Sequence, residues 1–283
     1  MPGLIYDKTC SASKFLNALI SKLGIEHWAT QSTLNYQVNI NKVCSGQPGS
    51  KAFNLEILHL SDIHIESIPD HGASLIRQLE SLTFDLVVLT GDYKLNRCAS
   101  NKNTLKLLAP LLNSLRCEHG IVAVQGNHDT PEFMNQLVKH DVTVLDNRST
   151  FIKVNGQRIN IVGISDPHYW QKDDLPKAMS HCAKQCPTIL LAHSAERSAL
   201  AQHFPIDLYL CGHSHGGQIC LPWGKPIINN SRCQRRFING AWFREFYQGY
   251  TSRGVGTTGF PLRIQCPPEI VIHTLFNNLA ETP

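Results

Sequence analysis

The sequence predicts an α/β sandwich with its helices on the outside. From Leu55 onward, a strand pattern followed by a helix pattern occurs three times in succession. The strands are short and almost wholly apolar, as strands buried on both faces are. Polar side chains able to bind metal fall just past the strands rather than within them.

In order, residues 55–60 read as a strand and 73–82 as a helix. Residues 86–89 are a strand, and 103–115 a helix with Leu105, Leu108, Leu112 and Leu115 facing inward. Residues 121–124 are a strand, and 131–139 a helix with Pro131 in its first turn. After Val142 the pattern changes: 151–154, the turn Asn155-Gly156 and 158–162 read as a hairpin. Apolar strands follow at 189–192 and 208–210, and 269–275 is the last. Ahead of all these, residues 11–23 place Phe15, Leu16, Leu19, Ile20 and Leu23 on one helical face, with Gly24 as the stop. That stripe packs on the main body or, with Lys14 and Lys22 beside it, lies on a membrane surface. The breaker cluster at 45–50 sets residues 1–50 apart as an extension from a domain over 51–283.

Composition narrows the function. The 283 residues are 42% hydrophobic and 17% charged, which excludes a disordered, highly charged chain. Twenty-six Lys and Arg against 22 Asp and Glu give a net charge of +4. That suits an anionic substrate but lacks the broad basic surface that polymeric nucleic acid demands. Ten cysteines with no CxxC spacing are neither a disulfide scaffold nor a zinc knuckle, and read as reduced thiols of an intracellular protein. No apolar run reaches the roughly 18 residues of a membrane span. The expected location is cytoplasmic, with peripheral membrane contact through residues 11–23. The 14 histidines stand out, because neutral imidazole is the commonest metal ligand.

Five strand ends carry the chemistry: Asp62 and His64, then Asp92, then Asn127, His128 and Asp129, then His193, then His213 and His215. In open α/β sheets, sites form beyond the carboxyl ends of the strands, so five such ends imply one shared site. Gly91, Gly126 and Gly212 each precede one of these groups, where a tight turn needs the freedom of a missing Cβ.

Ser61-Asp62-Ile63-His64, Gly91-Asp92, Gly126-Asn127-His128-Asp129, His193 and Gly212-His213-Ser214-His215 resemble the five ordered motifs of calcineurin-like metallophosphoesterases. Residues 212–218 with Pro222, 252–256 and 266–270 are similar to the YkuE/YaeI-type branch of small bacterial phosphodiesterases. The resemblance implies a four-layer α/β/β/α sandwich with two mixed β-sheets and a site for two divalent ions. Asp62, His64 and His215 would hold one ion and Asn127, His193 and His213 the other, with Asp92 bridging them. Imidazole and carboxylate ligands suit Mn²⁺, Fe, Zn²⁺ or Ni²⁺ better than Mg²⁺, and Mn²⁺ is the ion expected first.

The expected mechanism is in-line attack on phosphorus by a hydroxide bridging the ions, with His128 protonating the leaving oxygen. Relatives with Gly-Asp-x-x-Asp carry an acid where this chain has Leu95. Support for a charged His128 therefore falls to Asp62 or Asp129, or else His128 only braces the site. Arg253, ahead of a glycine-rich turn, and Asn127 are the candidate substrate contacts. Arg232, Arg235, Arg236, Arg244 and Arg253, with Trp242, Phe243, Phe246, Tyr247 and Tyr250 among them, read as a solvated loop or a substrate wall. Asp166 and His168 are outer-shell candidates or turn residues.

The expected activity is hydrolysis of a phosphodiester or pyrophosphate bond in a phosphate-ester small molecule, a nucleotide-linked lipid or a phospholipid. A UDP-2,3-diacylglucosamine-type pyrophosphatase is one alternative. A metal-free scaffold is another, and the seven filled ligand positions argue against it.

Overall fold

The computed structural model describes residue 22 and residues 24–47, 49–227 and 229–277. The helix expected over 11–23 lies outside the described residues apart from Lys22.

One six-stranded sheet comprises Gln37–Cys44 (β1), Phe53–Leu60 (β2), Leu86–Leu89 (β3), Ile121–Ala123 (β4), Val142–Val144 (β5) and Glu269–Asn277 (β12). Its order is β1-β12-β2-β3-β4-β5, with β12 antiparallel to β2 and the other neighbours parallel. The second comprises Arg148–Val154 (β6), Gln157–Gly163 (β7), Thr188–Leu191 (β8), Leu208–Cys211 (β9), Gly240–Arg244 (β10) and Tyr247–Thr251 (β11). It runs β10-β11-β9-β8-β7-β6, with both outer pairs antiparallel and the centre parallel.

Alternation along the strands makes the layers. Leu55, Ile57, Leu86 and Val88 turn to one side and meet Ile159, Ile161, Ile189, Leu191, Leu208 and Leu210 of the other sheet. Leu58, Leu60, Val87 and Leu89 turn to the opposite side. There they bury Leu75 and Leu79 of Ala73–Leu79 (α2), Leu108 and Leu111 of Asn101–Ser114 (α3), and Phe133 of Pro131–Leu137 (α4). On the far face of the second sheet, Val162, Leu190 and Tyr209 pack with Leu175–Met179 (α5) and Ser198–Ala201 (α6). The result is the expected α/β/β/α sandwich.

Local signals explain most elements. Ser100 Oγ accepts the Asn103 amide and starts α3 two residues earlier than expected. Thr130 caps α4, with Pro131 in the first turn. Asn155 and Gly156, at φ 51° and 75°, form the expected tight hairpin turn between β6 and β7.

The domain boundary needs correction. β1 lies inside the segment set apart as an extension, yet it pairs along its whole length with β12. The breaker cluster at 45–50 separates two strands of one sheet, not two units. Glu26–Leu34 (α1) precedes β1.

Candidate metal centre

β2, β3 and β4 run parallel, as do β7, β8, β9 and β11, so their carboxyl ends share an edge in each sheet. Backbone bonds carry on past the strand ends. The Asp62 amide donates to Gly91 O (3.0 Å), that of His64 to Asp92 O (2.9 Å), and that of Gly256 to Asp62 O (2.9 Å). The Asp129 carboxylate accepts the amides of Asp92 (2.7 Å), Tyr93 (3.0 Å) and Gly126 (2.9 Å), stapling the β3 and β4 loops together.

The turns are tight enough that Asp62, His64, Asp92, His213 and His215 all have positive φ, between 38° and 74°. Asp and His enter this region more readily than most residues, yet each instance costs on the order of 1–3 kcal/mol. The glycines matter mainly for close approach. A Cβ on Gly126 would overlap the Asp92 amide and carboxylate, and one on Gly212 would overlap Ser61 Oγ and Asp62 Oδ2.

Two groups of donors result. Asp62, His64 and His215 bring one atom each within 4.8 Å of one another, and Asp92, His193 and His213 do the same. Asp92 lies between the groups: Oδ2 is 3.6 Å from His64 Nε2 and 3.4 Å from His193 Nε2. His193 Nε2 is 2.9 Å from Asn127 Oδ1 and 3.2 Å from His213 Nδ1. The structure thus brings together all seven residues proposed as ligands from the sequence, every one of them buried.

Cations fit this arrangement. His64 Nδ1 donates to Lys94 O at 2.6 Å and His193 Nδ1 to Thr90 O at 2.8 Å, which turns Nε2 of each ring inward as a donor to metal. His64 Nε2, His213 Nε2 and His215 Nδ1 are buried with no hydrogen-bond partner. A buried polar atom left unsatisfied costs about 1–3 kcal/mol, and a coordinated ion removes that cost. Asn127 Oδ1 and Asp92 Oδ2 both face His193 Nε2, an oxygen-rich surround that calls for positive charge.

The electrostatics agree. Burial lowers the pKa of His64, and lowers those of His213 and His215 much further, keeping these imidazoles neutral as ligands must be. Burial raises the Asp62 carboxyl. At Asp92 burial works the same way, but the imidazoles of His193 and His128 outweigh it and hold the carboxylate ionised, well below the ordinary range. Burial also opposes charge on His193, yet Asp92 overrides it and raises that pKa well above the usual value.

His128 stands at the rim with its side chain 23% exposed, its amide on Asp92 Oδ1 (2.8 Å) and Nε2 3.9 Å from Asp92 Oδ2. Neither acid suggested as its support plays that part. Asp62 accepts the His213 amide (2.9 Å) and Ser61 Oγ (2.7 Å), while Asp129 is taken up by backbone amides. Burial lowers the pKa of His128, and Asp92, the carboxylate that pulls it upward, offsets that only in part.

Other expectations are corrected. Arg253 is tied to buried Glu269, with its amide on Oε1 (2.6 Å) and Nη2 3.0 Å from Oε2, and Nη2 also donates to Gln37 (3.2 Å), so its guanidinium is already engaged within the fold. The aromatic–basic run is divided: Trp242, Tyr247 and Tyr250 are core residues and Arg236 and Arg244 stack on Phe237, while Phe243 and Phe246 are exposed. Asp166 accepts the amides of His168, Tyr169 and Trp170 in a turn. His168 packs against the centre: its ring lies 4.1 Å from that of His213, and Nδ1 is 2.7 Å from Glu196 Oε1.

Sequence reasoning missed Arg97. Its Nη1 donates to Asn127 O (3.3 Å) and its guanidinium lies 3.8 Å over the Tyr169 ring, beside His128. No spacing marks it, since its neighbours come from two other strand ends.

Residues 55–217 match the Calcineurin-like phosphoesterase family. The chain is 29% identical over 252 residues to the uncharacterised metallophosphoesterase YkuE of Bacillus subtilis, covering 86% of this chain and 85% of that one. It is 31% identical over 232 residues to phosphodiesterase YaeI of Escherichia coli, covering 77% and 80%. To the UDP-2,3-diacylglucosamine pyrophosphatase LpxG of Chlamydia trachomatis it is 27% identical, covering 77% and 82%. From the strand-end motifs, their convergence and these relatives, the chain belongs to the calcineurin-like phosphoesterase family and is a metallophosphoesterase.

Proposed function

We propose that the protein hydrolyses a phosphodiester or pyrophosphate bond with two divalent ions, Mn²⁺ foremost. Asp62, His64 and His215 hold one ion, Asn127, His193 and His213 the other, and Asp92 serves both. The observation that carries this reading is the position of the Asp92 carboxylate, 3.4–3.6 Å from imidazoles of both groups, with His64 Nε2, His213 Nε2 and His215 Nδ1 buried and without a hydrogen-bond partner. Bound there, the ions supply Lewis acidity, neutralising phosphoryl charge and making water acidic enough to attack near neutral pH.

The chain's own residues orient the reaction. His128 Nε2, at the open side of Asp92, hands its proton to the leaving oxygen. Arg97 takes the part first given to Arg253: its guanidinium, held by Asn127 O and Tyr169, presents its remaining N–H groups to anionic oxygens of substrate. Asn127 combines ligand and substrate contact. The names of YaeI and LpxG support a diester and a nucleotide-linked lipid pyrophosphate, respectively, as substrate classes.

The test is a screen of purified protein with Mn²⁺ against bis(p-nitrophenyl) phosphate, p-nitrophenyl phosphate and a sugar-nucleotide pyrophosphate. Turnover of a diester or pyrophosphate in preference to the monoester, lost in Asp92→Asn, is expected. A folded protein inert on all three, whatever divalent salt is present, would refute the reading.

A further inference from the structure

A finger projects beside the metal centre. Ile227 donates its amide to Ile219 O (3.1 Å) and Leu221 to Lys225 O (2.9 Å), closing a narrow two-armed loop, while the Cys220 amide anchors its base to Ile264 O (2.9 Å). The tip is apolar and bare: Trp223 is 90% exposed, Ile227 57% and Leu221 45%. Trp223 also sits in left-handed backbone, at φ 68°. A tryptophan held there contributes almost no burial to folding and carries backbone strain, so the benefit of both features lies outside the molecule.

The surrounding charge says what meets it. From Leu208 to Arg244 the sequence contains no Asp or Glu, but it does contain Lys225, Arg232, Arg235, Arg236 and Arg244. All of these except Arg244 are exposed. An apolar tip with an interfacial tryptophan, followed along the chain by five basic residues before the first acid, Glu245, is the chemistry that seats on anionic lipid headgroups. Among the described residues no helix is long and apolar enough to cross a membrane, so any seating through these residues is peripheral. Ile219, at the base of the finger, lines a cleft of about 100 Å³ together with His213, His215, Asn230 and Phe260.

We propose that this finger docks the protein on an anionic phospholipid bilayer. Leu221, Trp223 and Ile227 enter the headgroup region, Lys225, Arg235 and Arg236 meet lipid phosphates, and the cleft beside the metal centre opens toward the lipid surface. The proposal is independent of the membrane contact expected through residues 11–23, and it stands whether or not the metal reading holds.

The test is co-sedimentation of the full chain with phosphatidylcholine vesicles, with and without phosphatidylglycerol. The intact protein is expected to pellet with the anionic vesicles, less with neutral ones, and less again as salt is raised. Removing one interfacial aromatic by Trp223→Ser should weaken partitioning about tenfold. Leu221→Ser, a second variant at the tip, should weaken it as well. Both variants should keep wild-type turnover of the soluble diester, which separates lost docking from lost folding or catalysis. Three outcomes would overturn the proposal: no pelleting of the intact protein with anionic vesicles, equal pelleting of Trp223→Ser, or equal binding to neutral vesicles. Concentration-dependent self-association that Trp223→Ser abolishes, seen by sedimentation velocity without vesicle binding, would assign the finger to a second copy of the chain and overturn it too.

Discussion

Asp92 Oδ1 accepts the His128 amide, while Oδ2 faces the imidazoles of His64, His193 and His128 at 3.4–3.9 Å. Two neighbours at the rim of the centre make separable predictions. With His128 in the proposed role of proton donor, His128→Ala should slow hydrolysis of an alkyl-leaving diester about 10²–10⁴-fold. It should barely affect bis(p-nitrophenyl) phosphate, whose phenolate leaves unprotonated; equal losses on both would return His128 to a bracing role. Arg97→Ala should raise KM about tenfold to a hundredfold through a lost charged hydrogen bond, with kcat little changed. An unaltered KM would remove Arg97 from the substrate site. The proposed ligand positions were legible in the sequence because polar residues directly after apolar strands have few structural reasons to be there. Arg97 and Arg253 were not legible: Arg253 meets Glu269 sixteen residues on, across a chain reversal, and Arg97 meets Asn127 and Tyr169 from other loops.

The loops beyond the strands are shaped by contacts that leave no room. Gly126→Ala would press a methyl group into the Asp92 amide and carboxylate, so about 1–3 kcal/mol of lost stability is expected, together with weaker metal retention. Urea denaturation and metal analysis measure the two effects, and a variant matching wild type on both would contradict the close fit. Beneath the loops runs a buried polar chain: His59 Nδ1 is 3.2 Å from His273 Nε2, its Nε2 is 2.8 Å from Thr90 Oγ1, and the Thr90 carbonyl accepts from His193. Burial lowers His59 from 6.5 to about 3 and takes His273 well below its ordinary value. Folded, both stay neutral; unfolded, both take up protons below about pH 6.5. The unfolded state then binds more protons, so stability falls as pH drops from 6.5 toward 3, by up to about 1.4 kcal/mol per pH unit for each histidine. Denaturation midpoints of the chelated protein that stay level between about pH 6.5 and pH 4 would contradict the neutral pair. Elements buried on both faces were legible as apolar runs. β1 was not: as an edge strand with mostly exposed positions it shows no such run.

In the whole molecule, two sheets pack face to face and deliver their strand ends to one seam. The first supplies Asp62, His64, Asp92, Asn127 and His128, and the second His193, His213 and His215. Catalytic geometry therefore depends on the apolar contact between the sheets as well as on the loops. Three β-then-α units announced the sandwich in the sequence. The pairing of β1 with β12 and the order of the second sheet were beyond it, because strand patterns say which faces are buried but not which neighbour buries them. The central claim is that one carboxylate serves two cations across this seam. It is tested most directly by equilibrium dialysis of the folded protein against Mn²⁺, followed by metal analysis of wild type and Asp92→Asn. Two ions per chain in the wild type and weakened retention of both in the variant are expected. One ion or none in the wild type, or a variant that keeps both ions as tightly, would contradict the claim.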